Sequence, residues 1–145
     1  MPEKNDIENI RLLYSENAKV AAAFWEWRHK VMTRFFAAVA ACVVMASWFY
    51  QHSELKAWVV LPFALAALFS VLSDMMDRVN TRVLGECYRL GMMMEEKLSE
   101  DAGIFKGITE MHQSRTSYHR VLRVMYIGCA VIFSAGALLA ILFIR

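Results

Sequence analysis

Three stretches of this chain contain no Asp, Glu, Lys or Arg: residues 35–53, 57–73 and 124–144. They are 19, 17 and 21 residues long. A helix rises ~1.5 Å per residue and the hydrocarbon core of a bilayer is ~30 Å thick, so each stretch is about long enough to cross. With no charge in the span centres, proton relays, ion-coupled transport and voltage sensing lack the side chains they need. Cysteine is scarce and unpaired. Cys42, Cys87 and Cys129 show no CxxC spacing, so neither a disulfide framework nor a zinc site is expected. There are only two Pro and six Gly, and no glycine-rich phosphate loop. Ser-His-Asp, Cys-His and HExxH arrangements are also missing, so no enzyme activity is expected.

Nor is there an excess of charge of one sign. The formal net charge is +2. Residues 74–123 carry eight cations and eight anions, and residues 1–34 carry six and five. Charge interspersed in this way belongs to a solvated helical bundle, so no nucleic-acid partner is expected. The four histidines flank the spans and none lies in a span core, which leaves haem ligation without a facing pair. No cofactor is expected. His112 and His119 lie seven residues apart on one helix face, where a pH-sensitive pair remains open.

What the chain does contain is apolar content, 58% of residues, above the ~45–50% of soluble domains. Its cations are also unevenly placed. Six precede the first span, eight lie between the second and third, and only Lys56 and Arg145 fall elsewhere. The positive-inside rule then puts the N-terminus in the cytoplasm and the C-terminus outside. The cell's inner membrane is the expected location, with the first span as a retained signal anchor. Trp48, Tyr50 and Trp58 bracket the outer hairpin, and Tyr126 is placed near the inner end of the third span, as interfacial aromatic belts require.

The organisation predicted is a single all-α domain: a cytosolic helix over 6–34, spans at 35–53, 57–73 and 124–144, a second cytosolic helix over 74–98, a break at 99–107 and a return helix over 108–123. Ile10, Leu13, Asn17, Val20, Phe24 and Trp27 alternate by three and four, which is a heptad seam suited to an oligomerising stalk, with Asn17 as a polar register position. Leu72, Met76, Val79, Val83, Cys87, Leu90, Met94 and Leu98 repeat the pattern in the second helix. Asp77, Glu95 and the other charges there, with Gly85 and Gly91, are placed off that seam. Ile104 and Phe105 are expected to dock onto the helices and hold the turn. Asp74 and Asp77, one turn apart at the inner boundary, form a candidate pore mouth. Small residues at Ala37/Ala41, Ala130/Ser134 and Gly136/Ala140 allow close approach of span backbones.

A charged helix ending in FWEWRHKVMTRFF, a two-span hairpin and a long following helix, together covering about residues 7–98, resemble the SLATT-type small bacterial membrane proteins. That resemblance implies a membrane-disrupting effector in nucleotide-triggered phage defence. The third span departs from the two-span pattern. The expectation is therefore a homo-oligomeric inner-membrane effector, embedded in lipid, that permeabilises the membrane when a cytosolic protein partner or ligand engages its helices. The alternative is a non-enzymatic scaffold or accessory subunit of a larger membrane complex.

Overall fold

The computed structural model describes residues 4–98, 103–113 and 118–143, with side chains over 6–52, 54–98, 103–110 and 118–142. Among the described residues there are four α-helices and no strand: α1 (Lys4–Gln51), α2 (Val60–Leu98), α3 (Ile104–Gln113) and α4 (Tyr118–Phe143), with a 3-10 helix at Ser53–Val59. The first, second and fourth are each long and apolar enough to cross a membrane. Helix α1 is continuous for 48 residues because it contains neither Gly nor Pro. Pro62 falls in the first turn of α2, where its missing amide removes no intrahelical bond. The break expected at 99–107 is shorter at its far end. Residues 104–107 are already helical, for a reason given by Glu95 below.

The chain divides into two compact units rather than packing as one. The first comprises Met1–Arg28 and Arg78–Tyr118. Its core is Ala21, Leu84, Cys87 and Phe105, with Tyr14, Ala18, Phe24, Trp25, Val83, Tyr88 and Met92 packed around them. Tyr14, Ala18, Ala21, Trp25 and Arg28 advance by four, three, four and three, which sets one stripe of α1 inward. Burying a side chain the size of Phe105 contributes ~1.5–3 kcal/mol. Polar contacts fix the register. The Asn17 amide donates to the Cys87 carbonyl at 2.8 Å, and the Trp25 indole donates to the Tyr88 hydroxyl at 2.5 Å. Arg28 is buried, its guanidinium 5.6 Å from the Trp25 ring centre and 5.1 Å from that of Tyr118.

The second unit comprises His29–Asp77 and His119–Arg145. One cluster packs Phe35, Leu122 and Tyr126 with Met32, Val39, Met125 and Cys129. Tyr126 is buried edge-on against Phe35 at 4.8 Å, so it does not serve as the interfacial aromatic expected of it. The other cluster packs Ala46, Val59 and Ala140 with Phe49, Val60 and Phe63. From Pro62 to Asp77 the buried side chains of α2 are small or polar, and many large apolar side chains of this unit are exposed. Ala66 and Ser70 are fully buried, while Val44 and Leu142 are about 70% exposed. In water that distribution would be inverted; in hydrocarbon it is the stable one.

The face of α2 that is buried corrects the sequence-based seam. Ala66, Ser70, Ser73, Asp77, Asn80, Leu84, Cys87, Gly91 and Glu95 point inward, whereas Leu72, Met76, Val79 and Leu90 are exposed. Both stripes step by three and four. Cys87 of the expected seam is buried; Leu72 and Met76 belong to the second unit, where an outward apolar stripe suits a helix apolar enough to cross a membrane, and Val79 and Leu90 are exposed in the first.

Candidate functional site

Two groups of buried polar side chains stand out, one in each unit. The first is built on Glu95, only 2% exposed. One carboxylate oxygen accepts from the Phe105 amide at 2.8 Å and the other from the Lys106 amide at 3.0 Å. The Tyr14 hydroxyl also donates to it, at 2.8 Å. The carboxylate thus satisfies two amides in the first turn of α3, where no helical carbonyl can reach and the helix dipole favours negative charge. This cap starts α3 at Ile104 and explains why a glutamate sits in the core.

Two glycines make room for it. A Cβ on Gly103 would fall onto the Glu95 carboxylate, and one on Gly91 would fall into the Phe105 ring. Phe105 also meets Tyr14 edge-on at 5.3 Å. Of the expected docking pair, Phe105 is buried and Ile104 is 67% exposed. Glu95 and Gly91 were both placed off the seam by sequence, and the structure puts both on it.

The second group lies on α2 in the second unit. Ser70, Ser73, Asp74 and Asp77 are all buried. The Ser70 hydroxyl donates back to the Ala66 carbonyl at 2.8 Å, which satisfies it within its own helix. His119, on the first turn of α4, brings its Nδ1 to 2.8 Å from an Asp77 carboxylate oxygen. The Asp77 side chain is 3% exposed and that of His119 is 24% exposed. Next to this pair on the outer faces, Met75, Met76, Val121 and Val124 are exposed apolar residues. The contact gives a buried carboxylate a partner, and a buried charge is costly unless it is paired. Further along the same face of α2, within the first unit, Asn80 is 1% exposed.

The remaining sequence candidates are distributed as follows. Asn17 and Phe24 are half-buried in the first unit and Ile10 is half-buried, while Leu13, Val20 and Trp27 are exposed. Asp74 and Asp77 are enclosed by the second unit rather than displayed at its surface. Ala37, Ala41 and Ser134 are exposed and Ala130 is half-buried. Gly136 receives the Phe63 ring, at 3.2 Å from where a Cβ would stand, and Ala140 is buried in the same region. His119 was weighed with His112, whose side chain lies outside the described residues; its described partner is Asp77. His29 and His52 are exposed, the His52 ring nitrogen 2.8 Å from the Trp48 carbonyl. Among the described residues no three His, Cys, Asp or Glu side chains converge as a metal site. Burial pushes the Cys87 thiol pKa up, with a smaller contribution in the same direction from the Glu86 charge and an opposing one from a backbone hydrogen bond. No protein-family model matches the chain, and neither a curated protein nor a solved structure does.

Proposed function

We propose that this chain is a non-enzymatic, self-associating inner-membrane effector that perturbs or permeabilises the bilayer when its helical unit outside the membrane is engaged. The observation that carries the reading is a row of exposed apolar residues on α1. Leu13, Val20 and Trp27 are 56%, 44% and 37% exposed and recur every seven residues. Seven residues return a helix to within ~20° of the same direction, so they form one stripe. A stripe of that kind on a charged helix is matched by the same stripe of a second copy. Exposed Ala37, Ala41 and Ser134 on the spans favour the same association in lipid, because small residues let backbones approach.

The first unit lies in the cytoplasm in this reading, since fourteen of the sixteen cations flank the spans on that side. The resemblance to SLATT-type proteins supports antiviral defence as the setting in this reading, with a cytosolic protein or ligand as trigger. Cross-linking in native membranes tests the association. Val20→Cys is expected to yield a disulfide-linked pair of this chain on mild oxidation. Expression is expected to depolarise bacterial cells, and the double variant Leu13→Gln with Val20→Gln to leave them polarised. Cross-links to a different protein with unchanged membrane potential would replace this reading with that of an accessory subunit.

A further inference from the structure

The spans enclose a groove that the proposed function does not use. It has a volume of about 630 Å³ and lies within the membrane-spanning unit, beside the hairpin joining α1 to α2. Val43, Ala46, Val59, Phe63, Leu139 and Ala140 make its apolar wall. The Phe63 ring lies against Gly136, so a glycine forms part of the floor. The polar lining is Ser47 along the wall and, toward the hairpin, Tyr50 and Gln51. The Lys56 ammonium lies 5.7 Å from the Tyr50 ring centre. Trp48 and Trp58, 49% and 57% exposed, flank the same end, which is the depth at which aromatic side chains meet lipid headgroups.

We infer that this groove is a phospholipid site: one acyl chain lies along the apolar wall and the phosphate is held at the mouth by Lys56. Apolar voids stay dry, and an unfilled one forfeits the dispersion contacts of every atom that lines it. In a bilayer the surrounding hydrocarbon is the filler at hand. Charge decides which end carries the headgroup. Lys56 is the one Lys or Arg between the first two spans and Glu54 the one acid; the ammonium, beside the groove-lining Tyr50, is the group that meets a lipid phosphate as a point charge.

The probe is a phosphatidylglycerol with a diazirine on one acyl chain, in phosphatidylethanolamine–phosphatidylglycerol vesicles holding the full chain. After irradiation, labelled peptides are expected to cover Val43 to Gln51 or Gly136 to Ala140 in excess of the outward faces of the same helices. Lys56→Gln, at an exposed position of the 3-10 helix, is expected to lower that labelling about fivefold while leaving the outward faces unchanged. Ser47→Leu, which fills the groove from its rim, is expected to do the same without touching the charge. Even labelling of all span faces, insensitive to both variants, overturns the site. So does protein–protein cross-linking from these residues in place of lipid labelling, which would give the groove to a second copy.

Discussion

Replacing Glu95 by Ala should unfasten α3 from α2. The substitution leaves the Phe105 and Lys106 amides without acceptors and removes one partner of Tyr14. The Phe105 amide is buried, so water cannot simply take over. Each buried donor left unsatisfied costs ~1–3 kcal/mol, while removing a buried carboxylate returns part of its desolvation penalty. The expected net loss is about 2–3 kcal/mol. Glu95→Gln separates shape from charge. Its carbonyl serves one amide, but its NH2 faces the other donor, so about 1–2 kcal/mol should be lost. Tyr14→Phe removes one hydrogen bond at the edge and should cost about 0.5–1.5 kcal/mol. Denaturant titration in mild detergent, read by tryptophan fluorescence, gives the three values. Hydrogen exchange at Phe105 and Lys106 localises them, because both amides should lose protection in Glu95→Ala. Equal stability of Glu95→Ala and the parent chain, with unchanged exchange at those two amides, would refute the capping role.

The other predictions follow from the same contacts. Gly103→Ala and Gly91→Ala should each destabilise the first unit by about 1–3 kcal/mol through overpacking, while Gly107→Ala, where nothing lies within 4 Å, should be tolerated; the same denaturant titration ranks them. Asp77→Leu should cost less than His119→Leu. Removing the histidine takes one partner from a carboxylate that is 3% exposed, whereas removing the carboxylate leaves a ring that is 24% exposed and able to reach water; thermal unfolding in detergent tests the order. Cys87 should alkylate far more slowly in the folded protein than in denaturant, because it is enclosed and burial keeps its thiol protonated; mass spectrometry of a timed iodoacetamide reaction reads the ratio.

The three spans were legible from sequence because missing charge is a local, one-dimensional signal. The length of α1 was legible for a similar reason, since nothing in residues 4–51 interrupts a helix. The inward face of α2 was not. Leu72, Met76, Val79 and Leu90 share the three-and-four spacing of Ser73, Asp77, Asn80 and Glu95, and spacing alone does not say which solvent each stripe meets. Glu95 stands next to Glu96 and Lys97 and reads as one more solvated charge. Only its approach to the first turn of α3, ten residues on, gives it a role. The Asp77–His119 contact spans 42 residues and depends on α4 returning beside α2, which no local pattern encodes. Asn17 reads from the sequence as a polar register position of an oligomerising stalk, and in the structure its amide donates to the Cys87 carbonyl of the same chain.

The proposed self-association and its effect on the bilayer meet in a single measurement: release of a trapped dye from sealed vesicles as a function of the mass of the reconstituted protein. Assemblies of two or more copies should release dye, and release should fall with the multimer fraction in the Leu13→Gln, Val20→Gln variant. A protein that stays strictly monomeric and leaves the vesicles sealed, even when its helical unit is clustered by an antibody, would contradict the proposal.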